Sequence, residues 1–192
     1  RLSHETIEPT IRRAAGKTKG KLTQSDLRKV GSLALIRKSI SDLSAVSGLP
    51  GLSNLSLNDN DIADLKPLSS LSTLEVLLLQ GNRISNLKPI AGLIKLTQLN
   101  LSRNQVSSLT ALAGLIRLQR LNLINNQITN LRPLAKLKSL EWLAVNFNQI
   151  TDLKPLFALK NLQTLMLTGN TGLDSDQIED LEEALPSCQI EY

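Results

Sequence analysis

The sequence predicts an α/β solenoid: a right-handed coil with a concave parallel sheet, an irregular or 3₁₀ convex side, and helical caps at its ends. Three observations predict it. The string Leu118-Gln119-Arg120-Leu121-Asn122-Leu123-Ile124-Asn125-Asn126-Gln127-Ile128 reads L-x-x-L-x-L-x-x-N-x-I. Its Asn126 position recurs as Asn60, Asn82, Asn104, Asn148 and Asn170, at a constant step of 22 residues. The apolar positions keep that step: Leu52, Leu55, Leu57, Ile62, Leu65, Leu68 and Leu71 match Leu96, Leu99, Leu101, Val106, Leu109, Leu112 and Leu115. A single unit cannot bury its own leucines, whereas stacked units share one continuous core.

Residues 1–29 lack the repeat and are expected to form the N-terminal cap. Thr6–Ala15 reads as a short helix with Ile7, Ile11 and Ala14 on one face and Gly16 as its stop. A polar loop, Lys17-Thr18-Lys19-Gly20-Lys21, follows. Thr23-Gln24-Ser25-Asp26 then resembles a capping box that opens a second helix. A cap is physically required, because an open solenoid end exposes leucines and a strand edge.

Residues 30–170 are expected to hold about seven coils. The first is degenerate, with Val30, Leu33 and Leu35 in the apolar positions and Lys38 where an Asn is expected. Six regular strand segments start at Leu52, Leu74, Leu96, Leu118, Leu140 and Leu162. In each, Leu-x-Leu alternates with period two, which makes a short strand with leucines inward and x residues outward. The Asn falls where the chain turns, and its amide is expected to cap backbone groups there. The return half, Ile-x-x-Leu-x-x-Leu-x-x-Leu, has period three and suits a 3₁₀-like wall. Pro67, Pro89, Pro133 and Pro155 stand early in that half and argue against a continuous α-helix. Seven strands at about 4.8 Å would span roughly 29 Å.

Residues 171–192 are expected to form the C-terminal cap. Asp174 can cap a helix over Ser175–Leu185 with Ile178, Leu181 and Leu185 facing the core, and Pro186 ends it. Gln189-Ile190-Glu191 can return as a terminal strand, with Cys188 near the core.

This pattern resembles the internalin-like, short-period class of leucine-rich repeat proteins over about residues 30–170. The helix, polar loop, helix lead-in and the Leu-Pro-x-Cys-x-Ile ending also resemble bacterial members. The resemblance implies a curved solenoid that binds other proteins, often through its concave face. It also implies a bacterial, secreted or surface-attached protein of adhesin-like role, and no particular partner. No immunoglobulin-like segment follows the cap within these 192 residues, which departs from the internalin pattern.

Aromatic residues make up only 2%, so the core is leucine and isoleucine. No apolar run approaches the ~18 residues of a membrane-spanning helix. No leader is visible, and a start at Arg1 instead of Met is consistent with one having been removed. Cys188 is the only cysteine, so no intrachain disulfide can form. The net charge of +5 is uneven, with +7 on residues 1–38 and −7 on residues 171–192. Two readings fit: solvated cap faces, or an electrostatic handle for an acidic partner or for head-to-tail contact between otherwise monomeric chains.

The outward positions of the strands line up in columns. The first holds Ser32, Asn54, Val76, Gln98, Arg120, Trp142 and Thr164; the second holds Ala34, Ser56, Leu78, Asn100, Asn122, Ala144 and Met166. The third holds Ile36, Asn58, Gln80, Ser102, Ile124, Asn146 and Thr168, with Phe147 beside it. Against a largely amide and hydroxyl surface stand Trp142, Phe147, Met166 and Ile124, with Arg120 nearby, a composition that matches interface hot spots. The candidate partner-binding residues are therefore Trp142, Phe147, Arg120, Ile124, Met166, Asn122 and Asn146. In the alternative arrangement Phe147 tucks into the turn and Trp142 lies over the sheet or under the C-terminal cap.

Lys66, Lys88, Arg132 and Lys154 form a flanking basic stripe, broken by Thr110. It reads as a solubilising ladder or as an anion- or nucleic-acid-binding stripe. Sparse aromatics and the lack of any nucleic-acid motif disfavour the second. No catalytic, cofactor or metal residues are expected. His4, the only histidine, is expected in a frayed start, in the cap opposite Cys188. Asp59 and Asp61 read as plain solvated charges. No phosphate-binding glycine motif and no metal-ligand spacing occur. The reading is a non-enzymatic protein-binding module without a cofactor, extracellular or surface-exposed rather than cytoplasmic. Its alternatives are an intracellular scaffold resembling the phosphatase-regulating short-period proteins, or a structural protein that self-assembles end to end.

Overall fold

The computed structural model describes residues 2–192, with side chains from Thr6 onward. Helices α1 (Leu2–Ala14) and α2 (Gln24–Arg28) precede seven three-residue strands. These are β1 (Ser32–Ala34), β2 (Asn54–Ser56), β3 (Val76–Leu78), β4 (Gln98–Asn100), β5 (Arg120–Asn122), β6 (Trp142–Ala144) and β7 (Thr164–Met166). Helix α3 (Ser175–Ala184) and strand β8 (Gln189–Glu191) follow. The eight strands form one parallel sheet in sequence order. Successive strands pair with a register offset of 22 residues up to β7, as in Leu99 with Leu121 and Leu121 with Leu143. Pairing of Leu165 with Ile190 joins β8 at the end. This is a right-handed leucine-lined solenoid with the sheet on its concave side.

Each of the first six coils buries seven apolar core side chains, the seventh adds Leu162, Leu165 and Leu167, and one core runs unbroken from Ile7 to Leu185. The return halves contain 3₁₀ turns such as Lys66–Leu68, Lys88–Ile90 and Lys154–Leu156, with proline in the first turn where its missing N–H costs nothing.

The asparagine amides do more than close their own turns. Nδ2 of Asn126 donates to the carbonyls of Leu123 (3.1 Å) in its own coil and Leu101 (3.0 Å) in the preceding one. Its Oδ1 accepts from the Val106 N–H at 2.9 Å, also in the preceding coil. Asn60, Asn82, Asn104, Asn148 and Asn170 repeat the pattern, so each amide staples two coils. A second row caps the 3₁₀ turns: the side chains of Asp64, Asn86, Asn130 and Asp152 accept from the N–H two residues on.

The caps follow their local signals, with one change of face. α1 begins at Leu2, so position 4 is helical backbone, while the His4 side chain lies outside the described ones. The buried row is Ile7, Ile11 and Ala15 instead of Ala14, because i, i+4 and i+8 align along a helix. Gly16 ends it in the left-handed region at φ 68°. The capping box is present: Asp26 N–H donates to Thr23 Oγ1 and Thr23 N–H donates to Asp26 Oδ2. Asp174 accepts from Gln177 N–H at 2.9 Å and opens α3.

Candidate functional site

The outward columns place the candidate side chains on strands β5 to β7. Register sets Arg120 beside Trp142, Asn122 beside Ala144, and Ala144 beside Met166. The Arg120 guanidinium carbon stands 5.9 Å from the Trp142 ring centroid, within reach of the attraction between a cation and an aromatic face. Trp142 is half-buried against the sheet, and Arg120 is exposed. With Gln98, Leu99, Asn100 and Asn122 they line a hollow of about 220 Å³.

Two Asn side chains of this face, Asn122 and Asn100, are oriented by the backbone. Asn122 Oδ1 accepts from the Ile124 N–H at 3.1 Å, and Asn100 Oδ1 accepts from the Ser102 N–H at 3.0 Å. With the carbonyl ends engaged, the amide NH₂ groups are what they offer outward. Asn100 Nδ2 donates to Gln80 Oε1 at 3.4 Å, whereas Asn122 Nδ2 has no protein partner among the described residues.

Phe147 does not tuck into the turn; it is 55% exposed. Its backbone is left-handed, φ 55°, as are the equivalent Arg37, Asp59, Arg103 and Asn125. On the next coil the equivalent position is Gly169, where a Cβ would stand 2.4 Å from Phe147 Cδ1. The missing side chain lets the ring rest on the neighbouring coil while much of it meets solvent.

Ile124, Met166 and Asn122 are half-buried and reachable. Asn146 is not: only 7% of it is exposed, and its Oδ1 has no donor among the described residues. It occupies the same column as Ile124 and Thr168, yet it is buried. Asn146 is therefore removed from the expected contact surface. Ala144 is buried too.

Charges around the sheet rim are largely paired. Asp59 accepts from Arg103 at 2.9 Å and lies 3.5 Å from Arg37. Arg103 reaches it over Gly81, where a Cβ would meet Asp59 Oδ1 at 2.4 Å. Asp61 pairs with Arg83 at 2.6 Å. Asp59 and Asp61, read from the sequence as plain solvated charges, are thus bridges between coils. Sequence reasoning missed both these pairs and the Asx caps, although an Asp or Asn two residues before each Lys-Pro or Arg-Pro was the visible signal for the caps.

The basic stripe, Lys66, Lys88, Arg132 and Lys154, is exposed at the starts of the 3₁₀ turns. Burial pushes the Cys188 thiol from 9.0 up to about 11, so it stays protonated at neutral pH, the unreactive form. Among the described residues no group of three or more His, Cys, Asp or Glu could hold a metal ion, and no helix is long and apolar enough to cross a membrane.

An open solenoid with a leucine interior, an asparagine ladder and a free sheet face is the architecture of a leucine-rich repeat scaffold. The family profile described as leucine rich repeats (2 copies) matches residues 72–114, 116–156 and 138–183. Internalin C2 of Listeria monocytogenes str. 4b F2365 is 34% identical over 96% of this chain and 81% of its own, with a TM-score of 0.89. The internalin inlF of the same strain is 26% identical with a TM-score of 0.81, covering 88% of this chain and 54% of its own. A leucine-rich repeat protein of Leptospira interrogans is 26% identical with a TM-score of 0.68, covering 90% of this chain and 52% of its own. The chain thus spans about half the length of the latter two. No curated protein sequence matches it. The chain belongs to the leucine-rich repeat family and is internalin-like.

Proposed function

We propose that this protein is a non-catalytic receptor for another protein, which it binds on the concave face around Trp142, Arg120, Phe147, Ile124, Met166 and Asn122. The observation that carries the reading is the Trp142–Arg120 pair on a rigid sheet with Phe147 held exposed nearby. Tryptophan and arginine dominate interface energetics, and side chains already ordered by the scaffold lose little freedom on binding. Leucine-rich repeat domains generally mediate protein–protein interaction, which supports the same reading. In this view residues 1–29 and 171–192 act as caps that seal the core, and residues 30–170 carry the recognition surface. The likeness to Listeria internalins supports a bacterial, exported or surface role.

The test compares capture from candidate host and source extracts by the intact chain and by Trp142→Ala. The expected result is a partner whose affinity falls by about 2 kcal/mol or more in Trp142→Ala, with the circular dichroism spectrum unchanged. A partner bound equally well by both proteins overturns the concave-face reading.

A further inference from the structure

Resting on that concave-face reading, we propose that the hollow at Arg120 and Trp142 receives a carboxylate side chain, Asp or Glu, from the bound protein. Arg120 is the only charged side chain in the three outward columns of β1 to β7. Among the described residues no carboxylate lies within ion-pair distance of it, whereas Arg37, Arg83 and Arg103 at the rim each hold one. Glu75 and Glu141 precede their strands at the rim, and Glu191 of β8 lies beside Met166, three strands away.

Two other polar groups of the hollow, Asn122 and Trp142, favour the same ligand. Asn122 Oδ1 is engaged by the Ile124 N–H, which leaves Nδ2 to donate. The Trp142 indole N–H is a donor only and has no protein partner among the described residues. The planar guanidinium offers paired N–H groups that match a carboxylate. A hollow that offers donors beside one unpaired cation attracts an anionic acceptor. One cation suits a single carboxylate better than a polyanion, whose binding depends on many phosphate or sulfate contacts. Met166 on β7 lies about 10 Å away, two strand spacings, so the partner segment should present an apolar side chain near its acidic one.

The probe is a phage-displayed library of random linear peptides, selected on the immobilised intact chain. Clones that lose binding to Trp142→Ala are carried forward. The expected result is that these clones share an Asp or Glu whose amide replacement lowers affinity about tenfold or more. Arg120→Gln lowers it equally, with no further loss when the two changes are combined. Arg120 is exposed, so unfolding temperature and circular dichroism should not change in Arg120→Gln. Trp142-dependent clones that need no acidic residue overturn the carboxylate inference and leave the concave-face reading standing. Absence of any Trp142-dependent clone overturns both. Displacement of the clones by heparin-derived oligosaccharide, abolished by Arg120→Gln, assigns the cation to a sulfated polymer and also overturns the inference.

Discussion

The amide of Asn126 holds four hydrogen bonds, three donated to the carbonyls of Leu101, Leu123 and Ile124 and one accepted from Val106. Three of the four join backbone groups buried between two coils. Each buried group left unpaired costs about 1–3 kcal/mol. Asn126→Ala is therefore expected to lower stability by about 3 kcal/mol or more, read as a shift in the urea midpoint with an unchanged slope. Asn125→Ala is the control: its side chain is exposed, and the only expected loss, about 1 kcal/mol, comes from placing Ala in its left-handed backbone. Equal losses in the two would refute the staple. The residue pattern already placed the asparagines in turns. That each reaches back into the preceding coil was not visible, because the partner carbonyl lies 25 residues upstream and only stacking brings it near.

At the scale of single elements, the N-terminal cap holds a strongly shifted carboxylate, Asp26. The Lys17 ammonium donates to Asp26 Oδ2 at 2.7 Å, and the Thr23 hydroxyl and N–H do the same at 2.6 and 2.9 Å. These donors hold the Asp26 carboxyl well below the usual carboxylate range. A carboxylate whose acidity is raised by folding stabilises the folded state above its unfolded pKa of about 4, and that contribution drains away as the pH falls below it. Asp26→Asn removes it. The unfolding temperature of the intact chain should then fall more steeply between about pH 5 and pH 2 than that of Asp26→Asn; parallel curves would show the contacts to be energetically idle. The Thr23–Asp26 box was legible because its two partners are three residues apart. The Lys17 contact was not, because a loop closes it.

For the whole molecule, stability is shared between neighbouring coils, so the middle has two supporting neighbours and the ends one. Backbone amides of β3 to β6 should exchange with solvent most slowly, and those of β1 and β8 fastest, by hydrogen-exchange mass spectrometry. Leu121 pairs with Leu99 and Leu143 in the centre of the core and is fully buried. Leu121→Ala should cost about 3 kcal/mol, and uniform exchange along the chain would contradict the nearest-neighbour picture. The opposed charges of the two ends are a property of the same scale. Part of the basic end is neutralised locally, by the Arg12–Glu8 and Lys17–Asp26 pairs, whereas residues 171–192 contain no Lys or Arg.

The coil count, the strand positions, the inward leucines and the proline-bearing 3₁₀ wall follow from residue order, because each depends on a local period of two, three or 22. The exposure of individual outward side chains does not. Asn146 and Ile124 occupy the same column and looked equally available, yet folding buries the first and leaves the second reachable, because burial depends on neighbours drawn from other coils. The same holds for Phe147, whose ring lies against a glycine 22 residues away, and for Arg120, whose lack of a carboxylate partner among the described residues shows only once eight strands stand side by side. Short-range periodicity is written along the chain; the identity of cross-coil neighbours exists only after the coils have stacked.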